Sequence, residues 1–190
     1  MIVSIKQNKF NWTDRFSIHT EGNLSYQIKR RRIRFLRFET ILIDSIGNKI
    51  FSISSKKKKL FRSYEFQIVS NNGEILNYFT VSAWNSHDRC VANQHTYDVY
   101  GHKGRKYSIF KNDSQVAFFE KSPMSFFEGD VYKLVADDDC ELPLLICLVI
   151  IHDLKSGNNS GNILTFDFGN VANGSKVFDR NWRPKQIIKV

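Results

Sequence analysis

The chain of 190 residues is long enough for one domain with a full-sized core, and its 42% hydrophobic and 14% aromatic content excludes a disordered polymer. A net charge of +9 and a pI near 9.5 make polyanions its natural non-specific partners, either nucleic acid or anionic lipid. Cys90, Cys140 and Cys147 show neither CxxC nor CxxH spacing, which argues against a disulfide framework or a zinc site and for a reducing compartment.

The opening residues Met1 to Lys6 lack a basic start followed by an apolar run, so a cytoplasmic location is expected rather than secretion. Short strands are predicted at Ile2 to Lys6 and Arg15 to His19, ahead of the turn Glu21-Gly22-Asn23. A longer strand is expected from Leu24 to Arg37, where Tyr26 and Ile28 alternate with Ser25 and Gln27 before the basic run from Lys29 to Arg34. Thr40 to Asp44 and the segment holding Phe51 and Ile53 form a hairpin about Ile46-Gly47-Asn48. A polar loop containing Lys56, Lys57, Lys58 and Lys59 follows. Tyr64, Phe66 and Ile68 alternate with Glu65 and Gln67, and Asn71-Asn72-Gly73 offers the positive φ that a tight hairpin needs before Ile75 to Ala83 returns.

Trp84 to Cys90 reads as irregular, with the next strand at Val91 to His95. Three further strands are marked by Tyr97 and Val99, by Tyr107 and Ile109, and by Val116 and Phe118. Asp130 to Ala136 is the last, with Tyr132 and Leu134 opposed to Val131, Lys133 and Val135. Such spacing predicts a mainly β fold, an antiparallel meander closed into a barrel of about twelve strands, because closure removes exposed edges. A barrel that wide cannot be filled by its own side chains.

The filling is predicted at Leu142 to Ile151, a run without charged side chains and apolar on every side, which must be enclosed. About ten apolar residues are too few to cross a bilayer, so the enclosure is protein and the run a central hydrophobic helix at about residues 141–155. Pro143 belongs in its first turn, and Lys155 and Gly157 are stop signals. Asp137, Asp138 and Asp139 are expected to support its N-terminus; calcium binding is the alternative, but there is no EF-hand spacing. Residues 1–155 thus read as the barrel and 156–190 as an extension packed on or capping it, with a strand at Ile163 to Phe168 and an aromatic, basic tail from Phe178.

The candidate anion or lipid head-group site is basic: Lys29, Arg30, Arg32 and Arg34, with Lys56, Lys57, Lys58, Lys59 and Arg62. The same residues also suit a solvated outer face that deters edge pairing. Phe35, Leu36 and Phe38 are explained by strand alternation rather than base stacking, so nucleic acid ranks behind an anionic membrane surface or another protein as partner. His19, His87, His95, His102 and His152 form no HxH or HExxH group, and no Gly-x-Ser-x-Gly elbow or phosphate loop is present. No catalytic residue, metal ligand or cofactor is assigned, and a non-enzymatic binding module is expected.

Several stretches together resemble one family: Tyr97-Asp-Val-Tyr-Gly101, Tyr107 to Ala117, Glu120-Lys121, Asp130-Val-Tyr-Lys-Leu134, Asp137 to Asp139 and the closing apolar helix through Asp153. Leu42 to Asp44, Gly47 to Ile50 and Tyr64 to Ile68 extend the likeness, which covers roughly residues 15–155. The pattern resembles the tubby C-terminal-like superfamily, in its LURP-one-related and YxjI-like branch, which shares its fold with phospholipid scramblases. The resemblance implies a closed barrel of roughly twelve strands around a central helix. For function it implies binding: tubby proteins bind phosphoinositide head groups, and scramblases are associated with lipid movement. The extension after the helix has no counterpart in that pattern.

Overall fold

A computed structural model describes residues 1–8, 14–34, 37–55, 65–84, 86–122, 130–157 and 176–187; the side chains of Asp14, Arg32, Ile33, Arg34, Arg37, Phe38, Ser156 and Gly157 are outside that description. Alternation of apolar and polar residues builds twelve strands. They are β1 (Ile2–Gln7), β2 (Asp14–Thr20), β3 (Asn23–Arg34), β4 (Arg37–Asp44), β5 (Lys49–Ser55), β6 (Glu65–Ser70), β7 (Ile75–Ser82), β8 (His87–Ala92), β9 (His95–His102), β10 (Lys106–Lys111), β11 (Ser114–Ser122) and β12 (Val131–Ala136). Sequential strands pair antiparallel, and β1 closes the barrel by pairing with both β2 and β12, Ile5 lying opposite Ile18 and Tyr132.

The helix α1 (Leu142–Gly157) occupies the interior, and all eight residues from Leu144 to Ile151 are inaccessible to solvent. They join one core with inward residues of the wall, among them Ile5, Ile28, Ile68, Tyr78, Phe119 and Tyr132. Burying each large aliphatic side chain stabilises the fold by roughly 1.5 to 3 kcal/mol before entropy. Sixteen residues make a rod of about 24 Å, enough to run the length of the wall. The Glu141 carbonyl accepts the Leu145 N–H and so begins the helix, which places Pro143 in the first turn where its missing N–H is harmless.

The strand pairing gives the barrel two unlike ends. At the entry end, where α1 begins, lie the turns after β2, β4, β6, β8 and β10; Gly73 there has a φ of 86°. At the exit end, where α1 finishes, strands β1, β3, β5, β7, β9 and β11 terminate.

Three expectations need correction. The stretch from His87 to Cys90 is strand rather than irregular, and Asn93, at a φ of 42°, turns the chain where a strand was expected to continue. The reason is Asp88, a carboxylate that points inward beside Cys90 and so hides the alternation. The single strand expected from Leu24 to Arg37 is two, because Arg34 pairs with Arg37 and the chain reverses between them. The acidic run does not cap α1: Asp137 accepts the Lys185 N–H at 2.7 Å, while Asp138 binds the Met1 ammonium at 2.7 Å and the Ile187 N–H at 3.2 Å. The turn from Asp137 to Cys140 aims these carboxylates at neighbouring chain segments rather than along the helix axis. The strand expected at Ile163 to Phe168 lies outside the described residues.

Because Leu148 sits at the middle of the enclosed rod, Leu148→Ala should cost about 2 to 5 kcal/mol in chemical denaturation, and Leu148→Asp should yield no cooperatively folded protein. Recovery of a cooperative unfolding transition for the aspartate variant would refute the enclosed helix.

Candidate functional site

Polar chemistry inside the barrel gathers where α1 leaves it. Asp88 accepts from Lys155 Nζ at 2.5 and 2.6 Å and from the Tyr78 hydroxyl at 2.8 Å, and Lys155 also donates to Thr80 Oγ1 at 3.1 Å. The lysine is two residues from the end of the helix, where a cation opposes the negative end of the macrodipole, and its stem reaches the wall at β7 and β8. Across the interior, the Tyr132 hydroxyl donates to Asp153 Oδ1 at 2.6 Å. Burial raises the Asp153 carboxyl above its ordinary range despite that hydrogen bond. His152 instead lies against two rings, 4.0 Å from Tyr107 and 5.6 Å from Phe119, and burial pushes its imidazole down to about 4. The adjacent His152 and Asp153 therefore serve different neighbours.

On the outside of β8 and β9, Asp98 takes Arg89 at 2.8 Å and His87 at 2.6 Å, and His87 stacks on Tyr100 with ring centroids 4.4 Å apart. Burial alone would raise the Asp98 carboxyl, but these two donors hold it below its usual value. An open groove on the outer face of β1 and β2 is lined by Ser4, Lys6, His19 and Glu21. Among the described residues, no group of three or more His, Cys, Asp or Glu is placed to hold a metal ion, and no helix is long and apolar enough to cross a membrane. All three cysteines are free, and burial raises the Cys90 thiol to about 12, which suppresses its thiolate.

Of the basic residues named from the sequence, Lys29, Arg30, Arg32 and Arg34 lie on β3, which terminates at the exit end. Lys29 and Arg31 are exposed on β3, whereas Arg30 shares the side of the strand that carries Tyr26 and Ile28, where burial and nearby Arg15 lower its pKa. Arg32 and Arg34 lie on the last residues of β3, without described side chains. Lys56, Lys57, Lys58, Lys59 and Arg62 lie outside the described residues, between Ser55 and Glu65, which both belong to the exit end. That end also displays Lys103 and Arg105 after β9, and Trp84, 90% exposed after β7. Sequence reasoning missed Lys103, Arg105 and Trp84, since only the strand order shows that these separate turns lie at the same end of the barrel. It also missed the inward Asp88 and its partner Lys155, for which an acidic residue at a core position of a strand was the available signal.

Half-buried His152 and buried Asp153 generate two predictions. Folded His152 titrates near 4 and an unfolded histidine near about 6.5, so the folded chain binds fewer protons between those values and stability falls as pH drops through them. Denaturant unfolding at pH 7 and pH 5 should show a loss of about 1 to 2 kcal/mol that His152→Gln abolishes. Asp153 has the opposite sign, its raised carboxyl favouring the fold as pH falls; Asp153→Asn, which keeps the acceptor for Tyr132, should gain about 0.5 to 1 kcal/mol at pH 7.

Compared with known proteins, the chain matches the sequence model described as LURP-one-related over residues 1–153. No curated protein and no solved structure matches it. Since the match spans all twelve strands and most of the enclosed helix, the chain belongs to the LURP-one-related family, part of the tubby-like superfamily.

Proposed function

We propose that the protein is a non-enzymatic binding module that docks on an anionic membrane surface through the exit end of the barrel. The family suggests a binding-type domain of the tubby-like kind and is generally non-enzymatic. The observation that carries the lipid reading is that exposed Lys29 and Arg31 on β3, exposed Lys103 and Arg105 after β9 and the exposed indole of Trp84 after β7 stand on strands and turns that reach the same end of the barrel. Each cation near an anionic leaflet contributes about 1 kcal/mol, and an exposed tryptophan favours the interface between head groups and acyl chains. Chain connectivity adds Lys56, Lys57, Lys58, Lys59 and Arg62, which follow Ser55 and precede Glu65 at the same end. The barrel supplies a rigid platform, and its apolar helix is spent on the core rather than offered to lipid.

Cosedimentation with vesicles tests this. Phosphatidylserine-containing vesicles should retain the protein at low salt, vesicles of phosphatidylcholine alone should not, and rising salt should release it. Reversing Lys56 to Lys59 to glutamate, or Trp84→Ala, should weaken retention, each lost cation by about fivefold. Equal retention on both vesicle types, or none on either at low salt, rejects membrane docking and leaves a module that engages another protein.

A further inference from the structure

The outward residues of β9 and β10 stand on a wall whose core is complete without them, and solvent is their expected neighbour. Asp98, Tyr100, His102 and Ser108 are nevertheless buried, Ser108 to 1% exposure. The chain's own segment 176–187 lies on this side of the barrel. Lys176 Nζ sits 3.1 Å from Asp113 and 4.1 Å over the Phe110 ring, and Phe178 meets His102 at 5.2 Å and Phe118 at 5.9 Å. Trp182 meets Phe118 edge-on and donates its indole N–H to the Gln115 carbonyl at 3.2 Å. The segment then reaches Asp137 and Asp138 through the Lys185 and Ile187 amides.

This fit is incomplete in a patterned way. Four buried side-chain polar atoms among the described residues lack a hydrogen-bond partner. Three of them, His102 Nδ1, Gln115 Nε2 and Asp137 Oδ2, belong to residues that touch segment 176–187. Desolvating a polar group without pairing it is unfavourable, so the segment covers this face while leaving its floor unsatisfied. The segment stands apart from the barrel's core: no residue of 176–187 belongs to the apolar cluster or to a strand of the wall. Charge is complementary, since Asp113, Asp137 and Asp138 are contacted by a segment in which Lys176, Arg180, Arg183 and Lys185 outnumber Asp179.

We propose that the outer face of β9 to β11, with the Asp137–Asp138 turn, is a recognition site for a basic, aromatic peptide segment of a partner protein, held here by the chain's own residues 176–187 as an imperfect occupant. The partner segment keeps the cation and the two rings and adds a donor for Asp137 Oδ2 and an acceptor for Gln115 Nε2. The site touches the exit end where Phe178 packs between His102 and Lys106, but it rests on the outer wall and the Asp137–Asp138 turn rather than on the exposed cations, so peptide binding is tested independently of membrane docking.

The test uses the full chain and, as probe, a labelled synthetic peptide with the sequence of residues 176–187. A tethered occupant competes at an effective concentration in the millimolar range. The double variant Phe178→Ala, Trp182→Ala, freed of that competitor, should therefore bind the peptide at least about tenfold more tightly than the unmodified chain. Adding Phe118→Ala, which alters only the outer face, should abolish binding. Equal affinity for the unmodified chain and the double variant, or no binding by a double variant with an unchanged circular dichroism spectrum, overturns the proposal. Should the double variant not fold, amide exchange in the unmodified chain decides. The Lys185 and Ile187 amides should exchange through an opening that leaves the β1–β12 amides protected, and exchange of both sets in one step overturns the proposal.

Discussion

A wall of twelve strands encloses more space than its inward side chains can occupy, and the fold exists because α1 fills that space. The requirement explains why the helix lacks a polar face and why the wall alternates so regularly around it. It also explains the polar cluster at the exit end. Once the apolar run is over, the helix still has a turn to complete inside the mouth, and there Asp153 and Lys155 are met by Tyr132 and Asp88 from the wall. Unpaired, those groups would be desolvated charges; paired, they fix how far the rod is inserted.

The same insertion gives the barrel an electrical direction. Asp137, Asp138, Asp139 and Glu141 stand at the entry end with the positive end of the helix dipole, and exposed Lys103 and Arg105 stand at the exit end with its negative end. Carboxylates of the entry end hold the Met1 ammonium and the segment near Ile187. Segregation of this kind orients a molecule in an external field, which a uniformly basic surface would not do.

The architecture was legible because it rests on patterns with a single physical meaning. An apolar run with no polar side, too short for a bilayer, has to be a filled core, and ten residues of it were enough to name the helix. Alternation failed where an inward residue was polar: Asp88 disguised β8, and its partner lies 67 residues away, beyond the reach of local reasoning. It was also ambiguous at Phe118 and Phe119, adjacent rings of which Phe119 faces the core and Phe118 the segment at Phe178 and Trp182. The carboxylates at Asp137 and Asp138 were read against the helix dipole, the nearest positive object in sequence, whereas the fold brings the Met1 ammonium and the Lys185 amide to them from opposite ends of the chain. Of the basic residues, the composition was visible, but that Lys29, Lys103, Arg105 and Trp84 stand toward the same end of the barrel depends on which strands end together.

The pairing of β1 with β12 has a consequence for how the molecule comes into being. Ile5 waits for Tyr132, a partner 127 residues later, so one edge of the first strand stays open during synthesis of nearly the whole wall. The filling is made last, after the wall is complete. A closed barrel without α1 would be hollow, and an inserted α1 without closure would be exposed, so sealing the seam and seating the rod are one event. Until that event the chain carries two open strand edges and a strongly apolar run, and its most vulnerable moment, to aggregation or to capture by a chaperone, is the interval in which α1 has been made and has not yet been seated.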